Sequence, residues 1–206
     1  MENNLLYQFD LENGKEIIGV DEAGRGPLAG SVVAAAVKLK RYSEELQEIN
    51  DSKKLTEKKR EKLFDIIMEN FEVGIGIASV QEIDELNILN ATFLAMRRAI
   101  EELDKKTNTD VLVLVDGNFK IREYIGKQEP IIKGDAKSLS IAAASIIAKV
   151  TRDRQLVEEG KKYPEYHFEK HKGYGTKAHR EALLQYGVTP IHRKTFLTKI
   201  LGENEK

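Results

Sequence analysis

Short runs of aliphatic and β-branched residues, separated by segments rich in glycine and charge, set the pattern of this chain. Runs of this length and composition predict β-strands. The predicted strands cover residues 16–22, 30–39, 71–79, 110–116 and 129–133. The run from Val111 to Val115 is apolar at every position, which is typical of a central strand that is buried on both faces.

Four longer segments predict helices, at residues 56–70, 80–104, 138–161 and 176–186. Thr56, followed by Glu57, has the side chain that caps a helix N-terminus. The predicted strands come first as a group, and the later ones alternate with helices. This order predicts an α/β fold in which a mixed sheet carries helices on its faces, rather than an all-parallel doubly wound sheet.

The sequence contains no repeat, no low-complexity tract and no linker, so we expect one functional domain. Residues 1–160 should form its core. From about residue 161 the chain becomes rich in Tyr, Pro, Gly, His and Lys. We expect residues 161–206 to form a small helical appendage packed on that core.

The 206 residues are 41% hydrophobic and 33% charged and include no cysteine. This composition is typical of a soluble globular protein. The lack of cysteine excludes disulfides, thiolate zinc sites and cysteine nucleophiles. No segment resembles a secretory signal, and none approaches the roughly 20 apolar residues that cross a bilayer. We therefore expect a cytoplasmic protein with no membrane partner.

Two acidic residues, Asp21 and Glu22, end the first predicted strand directly before a glycine-rich turn. A carboxylate pair beside permissive backbone can hold a hard cation, although a plain hairpin with solvated acids is the simpler interpretation. Neighbours in a regular strand point to opposite faces. Both can serve one site only if the backbone bends there, which Gly24 and Gly26 permit.

Two further acids follow later strands. Asp116 ends the buried strand, and Asp135 precedes the helix predicted at 138–161. Asp153 is a rival to Asp135, but it lies well inside that helix, roughly 20 Å from its start at about 1.5 Å per residue. We therefore expect Asp135, not Asp153, to join the other acids. An all-oxygen ligand set suits Mg²⁺ or Mn²⁺ rather than zinc.

The net charge of −1 conceals segregated charge. Residues 52–62 carry six bases and two acids, and residues 161–200 carry nine bases and three acids. Basic segments set apart from an acidic region indicate an electropositive track for phosphates, although each alone could be a solvated helix face. The lysines that we expect to contact phosphates are Lys53, Lys54, Lys58 and Lys59.

Three histidines, His167, His171 and His179, raise the alternative of a zinc site. Pro164 and Gly173 interrupt helical geometry there, and the surrounding lysines disfavour a cation. We therefore expect these histidines to have phosphate-binding or surface roles.

Six motifs follow one another between about residue 17 and about residue 195. They are Asp21-Glu22-Ala23-Gly24-Arg25-Gly26-Pro27, Asp51-Ser52-Lys53-Lys54-Leu55, Val115-Asp116-Gly117, Lys133-Gly134-Asp135, Ala142-Ala143-Ala144-Ser145-Ile146-Ile147-Ala148-Lys149-Val150 with Arg152-Asp153, and His171-Lys172-Gly173-Tyr174. Each motif is weak alone, but the ordered set is specific. By that set the chain strongly resembles the bacterial ribonuclease HII family.

The resemblance implies a ribonuclease H-like fold and endonucleolytic cleavage of RNA in RNA–DNA hybrids. It also implies cleavage 5′ of single ribonucleotides embedded in duplex DNA, by metal-assisted attack of water that leaves 3′-hydroxyl and 5′-phosphate ends. The implied cofactor is Mn²⁺ or Mg²⁺.

The resemblance also assigns site residues. The catalytic and metal-binding carboxylates are Asp21, Glu22, Asp116 and Asp135. The ribose-sensing loop is Gly24, Arg25 and Gly26, and the junction-sensing residue is Tyr174. The other substrate-binding residues are Ser52, Lys53, Lys54 and Lys172.

Arg25 between two glycines favours this family over the related ribonuclease HIII family, which has a different glycine loop and an added N-terminal domain. The chain stops soon after the last motif, so we expect no C-terminal partner-binding extension. We expect a monomer without an obligate protein partner. The preferred ion and the balance between the two substrates stay open.

Two other functional classes remain as alternatives. A nucleic-acid-binding module without catalysis would keep the basic segments but would not need the four carboxylates together. A nucleotide-binding regulator is disfavoured, because the glycine segment lacks dinucleotide-binding spacing and the chain has no phosphate-binding Gly-Lys-Ser/Thr loop.

Overall fold

A computed structural model describes residues 4–202 of the chain. Within that range a five-stranded sheet has the strand order β3-β2-β1-β4-β5. The strands are β1 (Ile17–Ala23), β2 (Val32–Leu39), β3 (Phe71–Ala78), β4 (Leu112–Asp116) and β5 (Gln128–Ile131). All five lie where the sequence predicts strands. Residues 1–3 of the predicted core and residues 203–206 of the predicted appendage lie outside the described residues.

The sheet is mixed, as predicted. β1 pairs antiparallel with β2, and β2 pairs antiparallel with β3. β1 also pairs parallel with β4, and β4 pairs parallel with β5. Because β1 and β4 are parallel, their carboxyl ends meet at one edge of the sheet.

Helices cover both faces of the sheet. They are α1 (Leu5–Asn13), α2 (Glu57–Asn70), α3 (Val80–Leu86), α4 (Ile88–Asp104), α5 (Leu139–Lys162), α6 (Phe168–His171), α7 (Lys177–Tyr186) and α8 (Lys194–Leu201). α4 packs on one face, against alternate residues of β1 that include Ile18 and Val20. α5 and α2 pack on the other face.

The prediction of a single helix at 80–104 is wrong, because Asn87 divides this segment into α3 and α4. Asn87 has the left-handed φ of 66°, which stops the preceding helix. Its side chain then accepts hydrogen bonds from the amides of Leu89 and Asn90, and so caps α4.

The appendage shares its hydrophobic core with the rest of the domain. Tyr166 and Phe168 pack with Leu197 of α8, and the same cluster includes Ala29 and Leu156 from the predicted core. The boundary at residue 160 stays a prediction. None of the helices in the described part of the chain combines the length and apolar character that a membrane span requires.

Glycines allow the two main helices to contact the sheet backbone directly. A Cβ atom at Gly19 would lie 2.2 Å from the carbonyl carbon of Ser140 in α5. A Cβ atom at Gly76 would lie 2.0 Å from the carbonyl oxygen of Ala95 in α4. Both distances are shorter than any van der Waals contact, so only glycine fits.

We predict that Gly76→Ala destabilises the protein, because the added methyl group would force α4 away from β3. Overpacking of this kind costs about 1–3 kcal/mol. Urea unfolding monitored by circular dichroism measures the loss. Gly202→Ala is the matched control, because nothing lies within 4 Å of a Cβ atom at that position. Equal stability of the two variants would contradict the prediction.

Candidate active site

Three carboxylates converge at the sheet edge where β1 and β4 end. One oxygen from each of Asp21, Asp116 and Asp135 lies within 4.8 Å of the others. Asp21 lies near the end of β1, and Asp116 is the last residue of β4. Asp135 lies in the short 3₁₀ segment Gly134–Ala136 that follows β5. The predicted convergence therefore includes three of the four acids.

Strand alternation explains which acids meet. Ile18 and Val20 face α4, so Glu22, two residues further, faces α4 as well. Asp21 has the opposite orientation and faces Ser145 of α5, whose hydroxyl acts to lower the pKa of the Asp21 carboxyl. Pairing with β2 continues through Ala23, so the backbone bend that would bring both acids together is not present.

Glu22 lies beside the three-carboxylate cluster, not in it. Its carboxylate is 3.5 Å from a guanidinium nitrogen of Arg25. It still lines the same cleft as Asp21 and Asp116, because β1 ends at the sheet edge. Its assignment as a metal ligand stays a prediction.

Backbone amides hold the cluster in place. Asp116 Oδ1 accepts a hydrogen bond from the Gly134 amide at 2.7 Å and a longer one from the Asp135 amide at 3.4 Å. Asp21 Oδ1 accepts the Glu22 amide at 2.7 Å. The loop after β5 is thereby tied to the end of β4.

The cluster concentrates negative charge in a poorly solvated place. Burial raises the pKa of Asp21 well above its usual range, and the neighbouring charges of Glu22 and Asp116 raise it further. Burial, followed by the charge of Asp116, also raises the pKa of the Asp135 carboxyl. A cation placed among these oxygens would remove the repulsion, so the donor set fits a divalent metal ion.

Asp153, the rival considered for this site, lies in α5 outside the cluster. It is buried and forms an ion pair of 2.7 Å with Lys149, four residues earlier in the same helix. The structure thus groups Asp135, and not Asp153, with Asp21 and Asp116.

A cavity of about 220 Å³ opens beside the carboxylates. The predicted substrate-binding residues in its walls are Gly24, Arg25, Gly26, Ser52, Lys53 and Tyr174. The ammonium group of Lys53 is 3.6 Å from Asp135, so a basic side chain reaches the acidic cluster. Tyr174 is 45% exposed, which leaves its ring accessible to a ligand.

Two predicted substrate-binding residues lie away from this cavity wall. Lys54 is exposed at the end of the 3₁₀ segment Ser52–Lys54. Lys172 donates a hydrogen bond to the carbonyl of Glu169 and lies 3.6 Å from the carboxylate of Glu57. Neither position excludes contact with a long duplex, and both assignments stay predictions.

Known proteins share this sequence and architecture. The family model described as Ribonuclease HII matches residues 18–199. The ribonuclease HII of Fusobacterium nucleatum is 68% identical over 206 residues, covering 99% of this chain and 95% of that protein. The ribonuclease HII of Caldanaerobacter subterraneus is 58% identical, covering 98% and 83%. This chain belongs to the ribonuclease HII family.

Solved structures agree with that membership. The ribonuclease H2 of Pyrococcus horikoshii has a TM-score of 0.72 at 32% identity, over 93% of this chain and 99% of that one. A ribonuclease HIII solved with Mn²⁺ has a TM-score of 0.71 at 17% identity, over 91% and 70%, and shares the fold. As a ribonuclease HII, the protein is a metal-dependent endoribonuclease that acts on RNA in RNA–DNA hybrids. Membership excludes the non-catalytic binding module.

Two residues of this ribonuclease HII cleft were missed as site residues. Ser145 and Lys149 of α5 line the cavity, and Ser145 forms a hydrogen bond of 2.7 Å with Ser52. They are four residues apart, so they lie on one face of the helix. A polar pair at that spacing inside the otherwise apolar run from Ile141 to Val150 is the signal that could have identified them.

The expected surface role of His179 is wrong. His179 is fully buried, and its Nε2 lies 2.9 Å from Nε2 of buried His192. The Nδ1 atom of His179 donates to the carbonyl of Tyr174, because that carbonyl can only accept. The ring also stacks on His171, so these histidines hold the segment that carries Tyr174.

We predict that this histidine pair makes stability depend on pH. Burial lowers the pKa of His179 and of His192 to about 4, whereas the unfolded residues titrate near 6.5. Between these values the unfolded chain binds protons that the folded one does not. The contribution of this pair to the free energy of unfolding is therefore complete above about pH 6.5 and decreases as the pH drops toward 4. At pH 5 the free energy of unfolding should be lower than at pH 7 by about 2–4 kcal/mol from the pair.

Urea unfolding at pH 7 and pH 5 measures this loss. His192→Gln keeps an amide donor for His179 but cannot titrate, so the variant should lose less stability between the two pH values. His167 is exposed, and His167→Gln should leave the wild-type slope unchanged. The same slope in all three proteins would contradict the prediction.

Proposed function

We propose that this ribonuclease HII cleaves on the 5′ side of single ribonucleotides embedded in duplex DNA, as well as within RNA–DNA hybrids. The products would carry 3′-hydroxyl and 5′-phosphate ends. The observation that carries this proposal is that a cluster of carboxylates, a glycine loop and an accessible tyrosine face one cleft.

We infer that Asp21, Asp116 and Asp135 hold Mg²⁺ or Mn²⁺, with Glu22 beside them. Their oxygens are the ligands these ions prefer, and the raised carboxyl pKa values indicate a site that gains from a cation. When bound, such an ion activates water for attack on a phosphodiester and stabilises the leaving oxygen.

The glycine loop is suited to recognising ribose. Gly24 is buried while Arg25 and Gly26 are exposed at the cleft. Backbone groups of glycine can approach a sugar closely, and a 2′-hydroxyl both donates and accepts hydrogen bonds. We propose that these three residues distinguish a ribonucleotide from a deoxyribonucleotide.

Tyr174 is placed next to that loop. A Cβ atom at Gly26 would lie 3.7 Å from the Tyr174 ring, so the ring and the loop border the same space. We propose that the ring stacks on the deoxyribose that follows an embedded ribonucleotide. The two features together would then recognise an RNA–DNA junction.

Basic side chains around the cleft would hold the phosphates. Arg25, Lys53 and Lys149 line its walls, and we propose that exposed Lys54 and half-buried Lys172 contact phosphates as well. Such contacts position a duplex without reading its sequence. We propose that the protein acts as a monomer without an obligate protein partner. The two ribonuclease HII relatives named above are bacterial, so we propose that the protein acts in the cytoplasm.

Replacing a cluster carboxylate should stop cleavage but not duplex binding. We predict that Asp116→Asn lowers the rate by at least about a hundredfold with Mg²⁺ or Mn²⁺, whereas the lysine contacts to phosphate remain. Cleavage of a duplex with one ribonucleotide, resolved on a sequencing gel, measures both rate and cut position.

The same assay tests the choice of Asp135 over Asp153. Asp153→Asn should lose less activity than Asp135→Asn, and the reverse order would refute that choice.

The tyrosine should matter most where a deoxyribose follows the ribonucleotide. We predict that Tyr174→Ala slows cleavage at a single embedded ribonucleotide more than cleavage of a continuous hybrid. Loss of one stacking contact is worth roughly 1–3 kcal/mol, or about five- to a hundredfold in rate. Both substrates are assayed with one enzyme preparation. An equal loss on both would mean that Tyr174 has a structural role only.

A further inference from the structure

Two arginines are buried beneath the loop of residues 24–31, which contains the ribose-reading residues Gly24, Arg25 and Gly26. Arg152 of α5 is 1% exposed, and Arg193, the residue before α8, is fully buried. Among residues 4–202, no carboxylate lies within ion-pair distance of either guanidinium group. Burying an unpaired cation is unfavourable unless its hydrogen bonds are all satisfied.

Arg193 directs its donors at backbone carbonyls of this loop. Its Nε donates to the carbonyl of Gly30 at 2.9 Å, and Nη1 donates to the carbonyl of Arg25 at 3.0 Å. Nη2 donates to the carbonyl of Gly24 at 2.5 Å and to that of Ser31 at 3.3 Å. One side chain from the appendage therefore ties together both ends of the loop.

Arg152 reaches the same loop from the core side. It donates to the carbonyls of Ala29 at 2.9 Å and Ser31 at 3.1 Å. Its remaining nitrogen donates to the carbonyl of Lys172 at 2.9 Å, and its guanidinium centre lies 6.0 Å from the Tyr174 ring. Arg152 thus joins the loop to the segment that carries the tyrosine.

The shape of the loop is fitted to these side chains. A Cβ atom at Gly24, where φ is +98°, would lie 2.1 Å from Nε of Arg152. Glycine at position 24 is therefore required by the arginine as well as by the backbone conformation. Gly26 lines the cleft. Among the described residues, its carbonyl accepts no hydrogen bond from either guanidinium group.

We propose that Arg152 and Arg193 are positioning residues that hold the glycine loop in the shape that recognises the 2′-hydroxyl, and so set ribose selectivity without touching the substrate. This inference rests on the proposed function, in which Gly24 to Gly26 read the ribose. Lysine cannot replace either residue, because one ammonium group cannot reach all the carbonyls that each planar guanidinium group holds. For Arg193 these carbonyls run from Gly24 to Ser31, and for Arg152 they belong to Ala29, Ser31 and Lys172.

The test uses Arg193→Lys and Arg152→Lys, which retain the positive charge. The KM for a duplex with one ribonucleotide is compared with the inhibition constant of the same duplex made entirely of DNA, with Mg²⁺ present. We expect each variant to raise the KM about tenfold or more. The inhibition constant of the all-DNA duplex should change less than about twofold, and kcat less than about threefold.

Arg154→Lys is the matched control, because Arg154 lies on the same helix but pairs with Glu61. It should keep wild-type values throughout. A merely structural defect would reduce the active fraction, and therefore kcat, without raising the KM selectively. If the wild-type enzyme itself does not prefer the ribonucleotide duplex, the ribose-reading function fails and the inference with it. If it does and the variants keep that preference, only the inference fails.

Hydrogen exchange keeps the inference testable if a variant does not fold. In the wild-type loop, the amides of Leu28 and Gly30 donate to the carbonyls of Gly173 and Ile191, each at 2.8 Å. Peptides that span these amides should exchange as slowly as α4 does. If these peptides exchanged as fast as an unstructured peptide in the folded wild-type protein, the loop would not be held in one shape and the inference would be refuted. In any folded lysine variant, the loop should exchange at least about tenfold faster while α4 is unchanged.

Discussion

Repulsion between carboxylates at one sheet edge is the constraint on which the site depends. The parallel pairing of β1 with β4 brings Asp21 and Asp116 to the same edge and the same face, where Asp21 is buried and Asp116 is half-buried. Asp21 is held there because Gly19 lets α5 pack directly on the backbone of β1, and Asp116 because its carboxylate accepts the amides of Gly134 and Asp135. The fold therefore maintains a concentration of negative charge that favours a cation, and the binding of that cation would stabilise the native state.

Local patterns predicted the sheet, its mixed topology and most of the acids. Apolar runs of strand length are distinctive, and an acid that follows such a run must lie at a sheet edge, as Asp116 does. The alternation of side chains along a strand also predicted that Asp21 and Glu22 point to opposite faces, and in the structure they do. The lysines expected to contact phosphates followed from segregated charge. The roles proposed for Gly24 and Tyr174 rest on resemblance to a family, because turn chemistry alone does not specify a ligand.

Features that depend on distant contacts were not predictable. The break at Asn87 needs a left-handed residue inside a strongly helical segment, where the side chain itself makes the cap. His179 reads as a surface residue in a basic segment, yet its partner is thirteen positions away in His192. Arg152 belongs to one of the six motifs, but neither it nor Arg193 could be assigned a role, since their partners are backbone carbonyls and carry no side-chain pattern.

Chain order separates the chemistry from the recognition. The three acids are complete once residue 135 has been synthesised, whereas the glycine loop that begins at Gly24 receives its main support from Arg193. A domain folds as a unit, so the loop is fully supported only when the segment that carries Arg193 has packed on the core. Selectivity for ribose would therefore depend on a residue close to the C-terminal end of the described chain, although all three acids of the cluster precede it by more than fifty positions.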